Sequence, residues 1–142
     1  MASKKTNKKI KIGIDIHGVI DTDPAFFKVL TELLVNNGHE VHIITGSKIE
    51  REIPQLKKHG ISYTHLFSIT DHHIKNGTKI SWDKKNNPHL DTYLWDKTKA
   101  QYCKEQNIDM HFDDSDTYNY FFKTPYARYF SKDTKRVKKS HL

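Results

Sequence analysis

The chain has 142 residues, of which 35% are apolar, 29% are charged and 11% are aromatic. This length corresponds to one domain of ordinary size, and the aromatic content argues against a disordered protein. No run approaches the roughly 18 consecutive apolar residues of a membrane-spanning helix, so the sequence predicts no membrane partner.

The formal net charge of +7 is concentrated at the two ends of the chain. Ten of the 24 basic residues lie within 1–11 and 132–139, whereas residues 12–131 carry 14 basic and 16 acidic groups. We therefore divide the chain into a basic N-terminal tail over 1–11, a folded domain over 12–131 and a basic C-terminal tail over 132–142. Blocks of like charge are most often solvated, and less often bind a polyanion such as the end of a nucleic acid.

The single cysteine, Cys103, excludes an intramolecular disulfide. The first residues are charged and lack the apolar core of a secretory signal peptide. Both features favour a reducing compartment, and we expect the protein to be cytoplasmic. The pattern leaves the oligomeric state unknown.

The first predicted element lies within Ile12 to Ile20. Apolar residues alternate there with Gly13, Asp15 and His17, which is typical of a buried strand that ends near His17 before a turn at Gly18. A carboxylate at the end of a parallel strand lies where α/β sheets bind their ligands.

A helix and a second strand follow. Asp23 as the N-cap and Pro24 as the first helical residue predict a helix that ends near Gly38. Its apolar residues recur at helical spacing: Phe26, Phe27, Leu30, Leu33 and Leu34. Residues Glu40 to Thr45 then form a short apolar strand.

The alternation of strand and helix continues beyond this strand. After a turn at Gly46 and Ser47, the pattern predicts a helix over about 48–59, in which Pro54 causes a kink or an early break. Residues Ile61 to Ile69 alternate well enough to form a third strand.

The last third of the chain is less regular. Periodicity fades from Thr70 to Trp95, a polar segment that we expect to be a long loop or a small hairpin. A helix is expected over about 96–106 and a fourth strand over Asp109 to Asp113. The aromatic segment from Tyr118 to Phe130 is expected to close the core.

Regular alternation of strand and helix predicts an α/β fold, a three-layer sandwich with a Rossmann-like parallel sheet. Three strand ends then meet at one edge and bring together Asp15, His17, Thr45, Gly46, Ser47, Asp113 and Asp114. Two acidic strand ends beside hydroxyl groups suit a hard cation such as Mg²⁺ that holds a phosphate.

Four motifs in this order resemble those of the haloacid dehalogenase superfamily: Asp15-x-His-Gly-Val-Ile, Ile-Ile-Thr45-Gly, Lys99-Ala-Gln-Tyr-Cys-Lys-Glu and His-Phe-Asp113-Asp114-Ser. They span nearly the whole chain, and the closest likeness is to small nucleotidase-like phosphatases with a minimal cap. The resemblance implies a Mg²⁺-dependent phosphohydrolase that forms an aspartyl-phosphate intermediate.

The resemblance also implies roles for individual residues. Asp15 is the nucleophile, and Thr45 with the backbone N–H of Gly46 binds a phosphoryl oxygen. Lys99 binds the phosphoryl group and neutralises its charge, with Lys97 as the alternative. On the residues alone, Asp15 is equally readable as a turn or cap residue, and Thr45 and either lysine as structural or surface residues.

The metal ligands implied by the resemblance are the side chains of Asp15 and Asp114 and the backbone carbonyl of His17. Asp113 reaches the cation through water or holds Lys99. Adjacent carboxylates at a strand end repel each other, and a bound cation relieves that repulsion. An Asx-turn with a helix cap around Asp113 and Asp114 is the structural alternative.

His17 departs from the family pattern, which places an aspartate two residues after the nucleophile as the general acid and base. Imidazole performs either role near neutral pH, so His17 is a candidate catalytic residue. Two other interpretations stay open: slow turnover with a persistent phosphoenzyme, or a module that binds a nucleotide or phosphate without turnover.

Four histidines surround the irregular segment: His65, His72, His73 and His89. Without paired cysteines or a helical His-x-x-x-His motif, surface or substrate-contacting roles are favoured over a zinc site. With no room for a large cap, the site suits a small nucleotide stacked on Trp82, Tyr93 or Trp95, or a phosphate at a nucleic-acid end guided by the basic tails.

Overall fold

The structure is a computed structural model, and it describes residues 8–132 and residue 134. The other residues of the two predicted tails, 1–7, 133 and 135–142, lie outside the described part of the chain. The division of the chain into two tails and a domain therefore stays a prediction.

The described residues form seven strands: β1 (Lys11–Ile14), β2 (Glu40–Thr45), β3 (His65–Ser68), β4 (Ser81–Trp82), β5 (Pro88–His89), β6 (Met110–Asp113) and β7 (Tyr126–Arg128). They also form four α-helices: α1 (Pro24–Asn36), α2 (Ile49–Lys58), α3 (Ile69–Lys75) and α4 (Thr92–Glu105). Five strands make a parallel sheet in the order β3-β2-β1-β6-β7, and β4 pairs with β5 in an antiparallel hairpin. None of the described helices is long and apolar enough to span a membrane.

Strand β1 occupies the centre of the sheet. Ile12 aligns with Val41 of β2, and Ile14 aligns with Phe112 of β6. The ladder extends one residue beyond the strand, since the N–H of Asp15 donates to the carbonyl of Phe112 at 3.0 Å. Asp15 is therefore held at the carboxyl end of the central strand.

The predicted end of this strand near His17 is wrong. After Asp15 the chain turns, and the N–H of Val19 donates to the carbonyl of Ile16 at 3.2 Å. A 3₁₀ turn over Ile20–Thr22 follows. Backbone hydrogen bonds beyond Asp15 thus close a local turn instead of extending the sheet.

Apolar clusters cover both faces of the sheet. Consecutive residues of β2 point to opposite faces, so Ile43 packs in the larger cluster and Ile44 in the smaller one. The larger cluster is made of Ile14, Ile16, Val19, Ile20, Phe27, Val41, Ile43, Leu56 and Ile61. Burial on both faces is typical of a central parallel strand. The structure confirms an α/β fold with a five-stranded parallel sheet flanked by helices, which is consistent with a Rossmann-like sandwich.

Helix α1 confirms the predicted cap. The carboxylate of Asp23 accepts a hydrogen bond from the N–H of Phe26 at 3.2 Å, and Pro24 is the first helical residue. The helix ends at Asn36, and Gly38 adopts a φ of +82° where the chain turns towards β2.

The sequence predicts a kink or an early break at Pro54, and the early break is wrong, because α2 continues through Pro54 to Lys58. A proline inside a helix removes one N–H donor and leaves one carbonyl without its partner. Pro54 lies on the exposed side of α2, where water can satisfy that carbonyl.

The third strand is shorter than the predicted segment 61–69. It spans His65–Ser68, and Ile69 already belongs to α3. The hydroxyl of Ser68 accepts a hydrogen bond from the N–H of Asp71 at 3.0 Å. This N-cap starts a helix where the apolar alternation alone suggests that the strand continues.

The expectation of a long loop over 70–95 is wrong, whereas the small hairpin is confirmed. Helix α3 occupies the first residues of this segment, and β4 and β5 form the hairpin. Helix α4 begins at Thr92 instead of residue 96, because the carboxylate of Asp91 caps it by accepting from the N–H of Leu94 at 3.0 Å.

The sequence does not predict the fifth parallel strand, β7. It aligns with β6 so that Arg128 lies opposite Asp113. With three residues, β7 is too short for an alternating pattern to be recognised. The aromatic segment around it packs against the two clusters through Phe122 and Tyr129, as predicted.

We predict that Leu56→Ala lowers the free energy of unfolding by about 2–5 kcal/mol, because it leaves a cavity in the larger cluster. Leu56 is 1% exposed, whereas Leu33 on α1 is 58% exposed. Leu33→Ala is the matched control, with an expected change within about 0.5 kcal/mol. Urea denaturation checks both values, and equal losses would contradict this assignment of the core.

Candidate active site

The carboxyl ends of β1, β2 and β6 surround a cavity of about 430 Å³. The predicted catalytic, phosphate-binding and metal-binding residues all line this cavity: Asp15, His17, Thr45, Gly46, Lys99, Asp113 and Asp114. The three strands are adjacent and parallel, so their carboxyl ends meet at one edge of the sheet. This convergence is the one that the sequence predicts.

The ammonium group of Lys99 lies between two carboxylates at the base of the cavity. Its Nζ is 2.8 Å from Oδ2 of Asp113 and 3.1 Å from Oδ1 of Asp15. Lys99 reaches this position from the buried face of α4, and its side chain is only 2% exposed. Three charged groups from β1, α4 and β6 are thereby held at fixed positions.

The alternative lysine, Lys97, lies elsewhere. Its Nζ is 4.7 Å from the centre of the Tyr93 ring, and neither residue lines the cavity. Of the two lysines, only Lys99 contacts the acidic strand ends. Tyr93, a predicted stacking residue, is 60% exposed and packs edge-to-face on Phe121.

Asp113 is supported from below by His111, which sequence reasoning does not identify as a site residue. The Nε2 of His111 donates to Oδ2 of Asp113 at 2.9 Å, and both side chains are fully buried. A side chain on Gly13, opposite His111 on β1, would place its Cβ 2.6 Å from the Nδ1 of His111. Glycine at position 13 therefore makes room for the imidazole.

The pKa values of these buried groups diverge. Burial raises the pKa of Asp15 to about 7, although Lys99 opposes this rise. Burial also acts to raise the pKa of Asp113, but hydrogen bonds and charges from His111 and Lys99 outweigh it and hold that pKa well below its usual range. The two carboxylates thus have different chemical characters, with Asp113 the more firmly ionised.

Lys99 stays positively charged despite its burial. Desolvation lowers the pKa of its ammonium group, but the charges of Asp15 and Asp113 outweigh desolvation and raise it. The burial of a cation is offset by its anionic partners, and Lys99 has two of them. Lys99 therefore supplies a permanent positive charge at the end of the nucleophile candidate, Asp15.

A third carboxylate, Asp114, lies at the mouth of the cavity. Oxygen atoms of Asp15, Asp113 and Asp114 lie within 4.8 Å of one another, and this group of residues could hold a metal ion. Burial, with the nearby charge of Asp113, raises the pKa of Asp114. Three carboxylates share one lysine, so this corner carries excess negative charge that a cation would relieve.

The hydrogen bonds of Asp113 indicate which of the three carboxylates are available to contact a cation. Its Oδ2 contacts Lys99 and His111, and its Oδ1 accepts from the N–H of Ser115 at 3.1 Å. Asp113 is thus already engaged through both oxygens. Asp15 and Asp114 are the better placed pair for direct contact with a cation, and the oxygen-rich donor set fits a hard divalent ion.

Position 18 requires a glycine, because Asp114 lies too close for any side chain there. The φ of Gly18, +83°, lies in the region that favours glycine, and a Cβ there would overlap the carboxylate of Asp114. The carboxylate of Asp114 therefore packs directly against the backbone of the turn that follows β1.

Thr45 and Gly46 form the second wall of the cavity. Thr45 is 1% exposed at the end of β2, and its Oγ1 accepts from the N–H of Ser47 at 3.3 Å. The carbonyl of Gly46 accepts from the hydroxyl of Thr70 at 2.6 Å. A side chain on Gly46 would meet the ring of Trp95 at 2.8 Å, so this close packing requires glycine.

His17 lies at the rim, between two acidic side chains. Its Nδ1 is 3.3 Å from Oδ2 of Asp21, and its Nε2 is 2.8 Å from Oε1 of Glu52. Burial acts to lower the pKa of His17, but hydrogen bonds and charges from Glu52 and Asp21 outweigh burial and raise it. Sequence reasoning does not identify Glu52, which is 2% exposed on α2.

Three aromatic side chains also line the cavity: Trp82, Trp95 and Tyr118. The Nε1 of Trp95 donates to the hydroxyl of Tyr118 at 2.8 Å, and the Nζ of Lys99 lies 5.1 Å from the Tyr118 ring. Trp82, on the β4–β5 hairpin, is 40% exposed, with the Nζ of Lys48 4.7 Å from its ring centre. Trp82 and Trp95 thus line the cavity, and stacking of a ligand on them stays a prediction.

The predicted surface or substrate-contacting role of the four histidines is wrong for His73, which is buried and does not line the cavity. His73 is 6% exposed and hydrogen-bonds through its two nitrogens to the hydroxyls of Thr78 and Thr98, at 2.9 and 2.8 Å. Its packing between α3 and α4 is structural. His65 and His89 are exposed, as predicted, and His72 is partly buried.

A second group that could hold a metal lies outside this cavity and consists of Glu40, His42 and His65. The rings of His42 and His65 are stacked, with centroids 4.0 Å apart and an angle of 3° between their planes. Imidazole donates to a metal in the plane of its ring, so stacked parallel rings do not converge on one ion. In this arrangement the group is better described as a hydrogen-bonded stack.

Comparison of the chain with models of known protein families, with curated proteins and with solved structures gives no match. Interpretation of the cavity therefore depends on its own residues and on the motif resemblance.

We predict that Lys99→Met lowers the free energy of unfolding by about 3–5 kcal/mol, because it leaves Asp15 and Asp113 buried without their cation. Lys97→Met is the matched control, since Lys97 lies over the face of the exposed Tyr93 ring and the variant should lose no more than about 1 kcal/mol. Urea denaturation at neutral pH measures both. Equal effects would contradict the buried ion pairs.

Proposed function

We propose that the protein is a Mg²⁺-dependent phosphohydrolase of the haloacid dehalogenase type, acting on a nucleotide or a related phosphomonoester. The observation that carries the proposal is the buried contact of Lys99 with both Asp15 and Asp113, at 3.1 and 2.8 Å. It pairs a carboxylate at the end of the central strand with a permanent positive charge. That pairing serves nucleophilic attack on an anionic phosphate ester.

In the proposed first step, a carboxylate oxygen of Asp15 attacks phosphorus and forms an O–P bond. The bond from phosphorus to the leaving oxygen breaks, and this oxygen takes its electron pair and a proton. Lys99 orients Asp15 through Oδ1 and offsets the charge of the phosphoryl oxygens. The product is an aspartyl-phosphate and the free alcohol.

In the second step, water attacks the phosphorus of the aspartyl-phosphate and loses a proton to a general base. The Asp15–phosphorus bond breaks, which releases inorganic phosphate and restores the carboxylate. His17 is the candidate for both proton transfers, because its imidazole titrates near neutral pH and it takes the place of the family's aspartate at the rim.

Thr45 and Gly46 would contact the phosphoryl oxygens from the other side of the cavity. The hydroxyl of Thr45 lies at the end of β2, next to the end of β1 that carries Asp15. Hydrogen-bond donors fixed at the position of developing charge stabilise a transition state.

The carboxylates of Asp15 and Asp114 and the backbone carbonyl of His17 would hold the Mg²⁺, with Asp113 in a supporting position. When bound, Mg²⁺ supplies Lewis-acid charge that orients the phosphate and offsets its negative charge. The excess of carboxylates over lysines at this corner supports such an ion.

A nucleotide is the substrate class that the cavity favours. Its volume of about 430 Å³ lies in the range of small-ligand pockets, roughly 300–1,000 Å³. Trp82 offers a half-exposed ring for a base, and Lys48 and Arg51 line the same side of the cavity. The hairpin that carries Trp82 would act as the minimal cap, and an open rim would also admit a phosphate at a nucleic-acid end.

A second candidate function is a module that binds a nucleotide or phosphate without turnover. The hydrogen bonds of His17 favour it, because both ring nitrogens contact carboxylates. In that arrangement neither nitrogen is free to meet a leaving oxygen. Turnover requires that one of the two contacts opens.

We predict that the protein releases phosphate from nucleoside monophosphates in the presence of Mg²⁺, and that EDTA abolishes this release until Mg²⁺ is restored. A panel of nucleotides and 5′-phosphorylated oligonucleotides, read by a phosphate assay, checks the prediction. No release from any member of the panel, together with retained nucleotide binding, would favour the binding module.

Asp15→Asn should abolish turnover while the fold is retained, because an amide cannot form the aspartyl-phosphate. Asp23→Asn is the matched control, since asparagine caps a helix as well as aspartate does and Asp23 lies outside the cavity. Circular dichroism confirms folding of both variants. Full activity of the Asp15 variant would refute covalent catalysis.

Trp82→Ala should raise the KM for a nucleoside monophosphate by about 5- to 150-fold, since stacking of one base on an aromatic ring contributes about 1–3 kcal/mol. The KM for glycerol phosphate, which has no base, should stay the same. Tyr93→Ala, an exposed aromatic residue outside the cavity, is the matched control. An equal change in KM for both esters would contradict base stacking on Trp82.

A further inference from the structure

Glu52 occupies an unexpected place on α2. It lies one helical turn before Leu56, and the two are the buried residues of this helix. A position on the core face of a helix normally carries an apolar side chain. A buried carboxylate that breaks this pattern needs a partner to offset its desolvation.

The partner of Glu52 is His17. Its Oε1 accepts from the Nε2 of His17 at 2.8 Å, while its Oε2 is buried and has no hydrogen-bond partner among the described residues. Leaving a buried carboxylate oxygen unpaired is unfavourable. The hydrogen bond to the imidazole of His17 thus offsets part of the cost of burying the Glu52 side chain.

The two ring nitrogens of His17 differ in how firmly they are held. The contact of Nε2 with Glu52 is short, and the Glu52 side chain is only 3% exposed. The contact of Nδ1 with Asp21 is longer, at 3.3 Å, and the Asp21 side chain is 42% exposed. Nδ1 is therefore the nitrogen that can exchange its partner for a substrate oxygen.

We propose that Glu52 is a positioning residue, which anchors the Nε2–H of His17 so that Nδ1 serves the leaving oxygen at the rim of the cavity. This inference rests on the proposed phosphohydrolase function. It explains how a histidine can stand where the family pattern has an aspartate: the helix that follows β2 supplies the carboxylate that orients the ring.

The proton transfers balance through one nitrogen. In the first step the Nδ1 of His17 gives its proton to the leaving oxygen as the bond from that oxygen to phosphorus breaks. In the second step water gives a proton to Nδ1 as its oxygen bonds to phosphorus and the Asp15–phosphorus bond breaks. Glu52 accepts the Nε2–H throughout and exchanges no proton.

The choice of leaving group separates positioning for acid catalysis from a structural role. An alkoxide, as in a nucleoside 5′-monophosphate, needs a proton to leave, whereas 4-nitrophenolate leaves without one. The ratio kcat/KM covers steps up to departure of the leaving group. A residue that positions the acid should therefore affect kcat/KM for the alkyl ester and spare it for the aryl ester.

We expect Glu52→Gln to lower kcat/KM for a nucleoside 5′-monophosphate by about 10²-fold, the lower end of the range for general acid catalysis. For 4-nitrophenyl phosphate, kcat/KM should change less than about threefold, while kcat falls because water attack still needs the base. Rapid quenching should then show a burst of 4-nitrophenol. Glu50→Gln, on the exposed side of the same helix, should leave all values unchanged.

Glu52→Leu separates folding from positioning. Leucine fits the apolar face of α2, so urea denaturation should show unchanged or higher stability, yet kcat/KM for the alkyl ester should fall as it does in Glu52→Gln. Wild-type turnover with an unchanged alkyl-to-aryl ratio in both Glu52 variants would overturn the positioning role alone. No turnover of either ester by the wild type would overturn the proposed function and this inference with it.

Discussion

The candidate site depends on one buried ammonium group. The Nζ of Lys99 lies 2.8 Å from Asp113 and 3.1 Å from Asp15, in a place where none of the three charges is tolerable alone. Removing the lysine leaves two carboxylates that repel each other. Removing either carboxylate takes away one of the two charges that offset the desolvation of the ammonium group. This mutual requirement fixes α4 against the ends of β1 and β6, and it therefore sets the geometry on which the rest of the cavity is built.

The surrounding residues make this ion cluster possible. His111 satisfies the inner oxygen of Asp113, and the absence of side chains at Gly13 and Gly18 leaves space for the imidazole and for Asp114. The cavity therefore has a fixed positive charge, Lys99, at its base and, at its mouth, carboxylate oxygens without a lysine partner among the described residues. A hard cation and an anionic phosphate complement these two regions, which is why one arrangement supports both parts of the proposed chemistry.

The sequence predicts the residues at the strand ends better than it predicts the buried residues that hydrogen-bond to the site. Asp15, Thr45 and Asp113 each follow a short apolar run, and parallel topology brings such ends together. Glu52 looks like an ordinary helical charge because its partner, His17, is 35 residues away in the chain. His111 is only two residues from Asp113, but within a short strand it looks like an ordinary strand residue. Helices α3 and α4 start at side-chain caps, which override the weak periodicity of the sequence there. Strand β7 is too short to show an alternating pattern.

Glu52 could have been found from the helical spacing of its neighbours. Ile49 lies three residues before it and Leu56 four residues after it, which places position 52 on the apolar face of the helix.

The central claim is that Asp15 forms a covalent bond to phosphorus. The most direct test is to mix the wild-type protein with Mg²⁺ and a nucleoside monophosphate, quench with acid at times within one turnover, and map the phosphorylated peptide by mass spectrometry. We predict a transient phosphoryl group on Asp15 that disappears as inorganic phosphate accumulates. Steady release of phosphate with no phosphoryl group on Asp15 at any quench time, or with one on a different residue, would contradict the account.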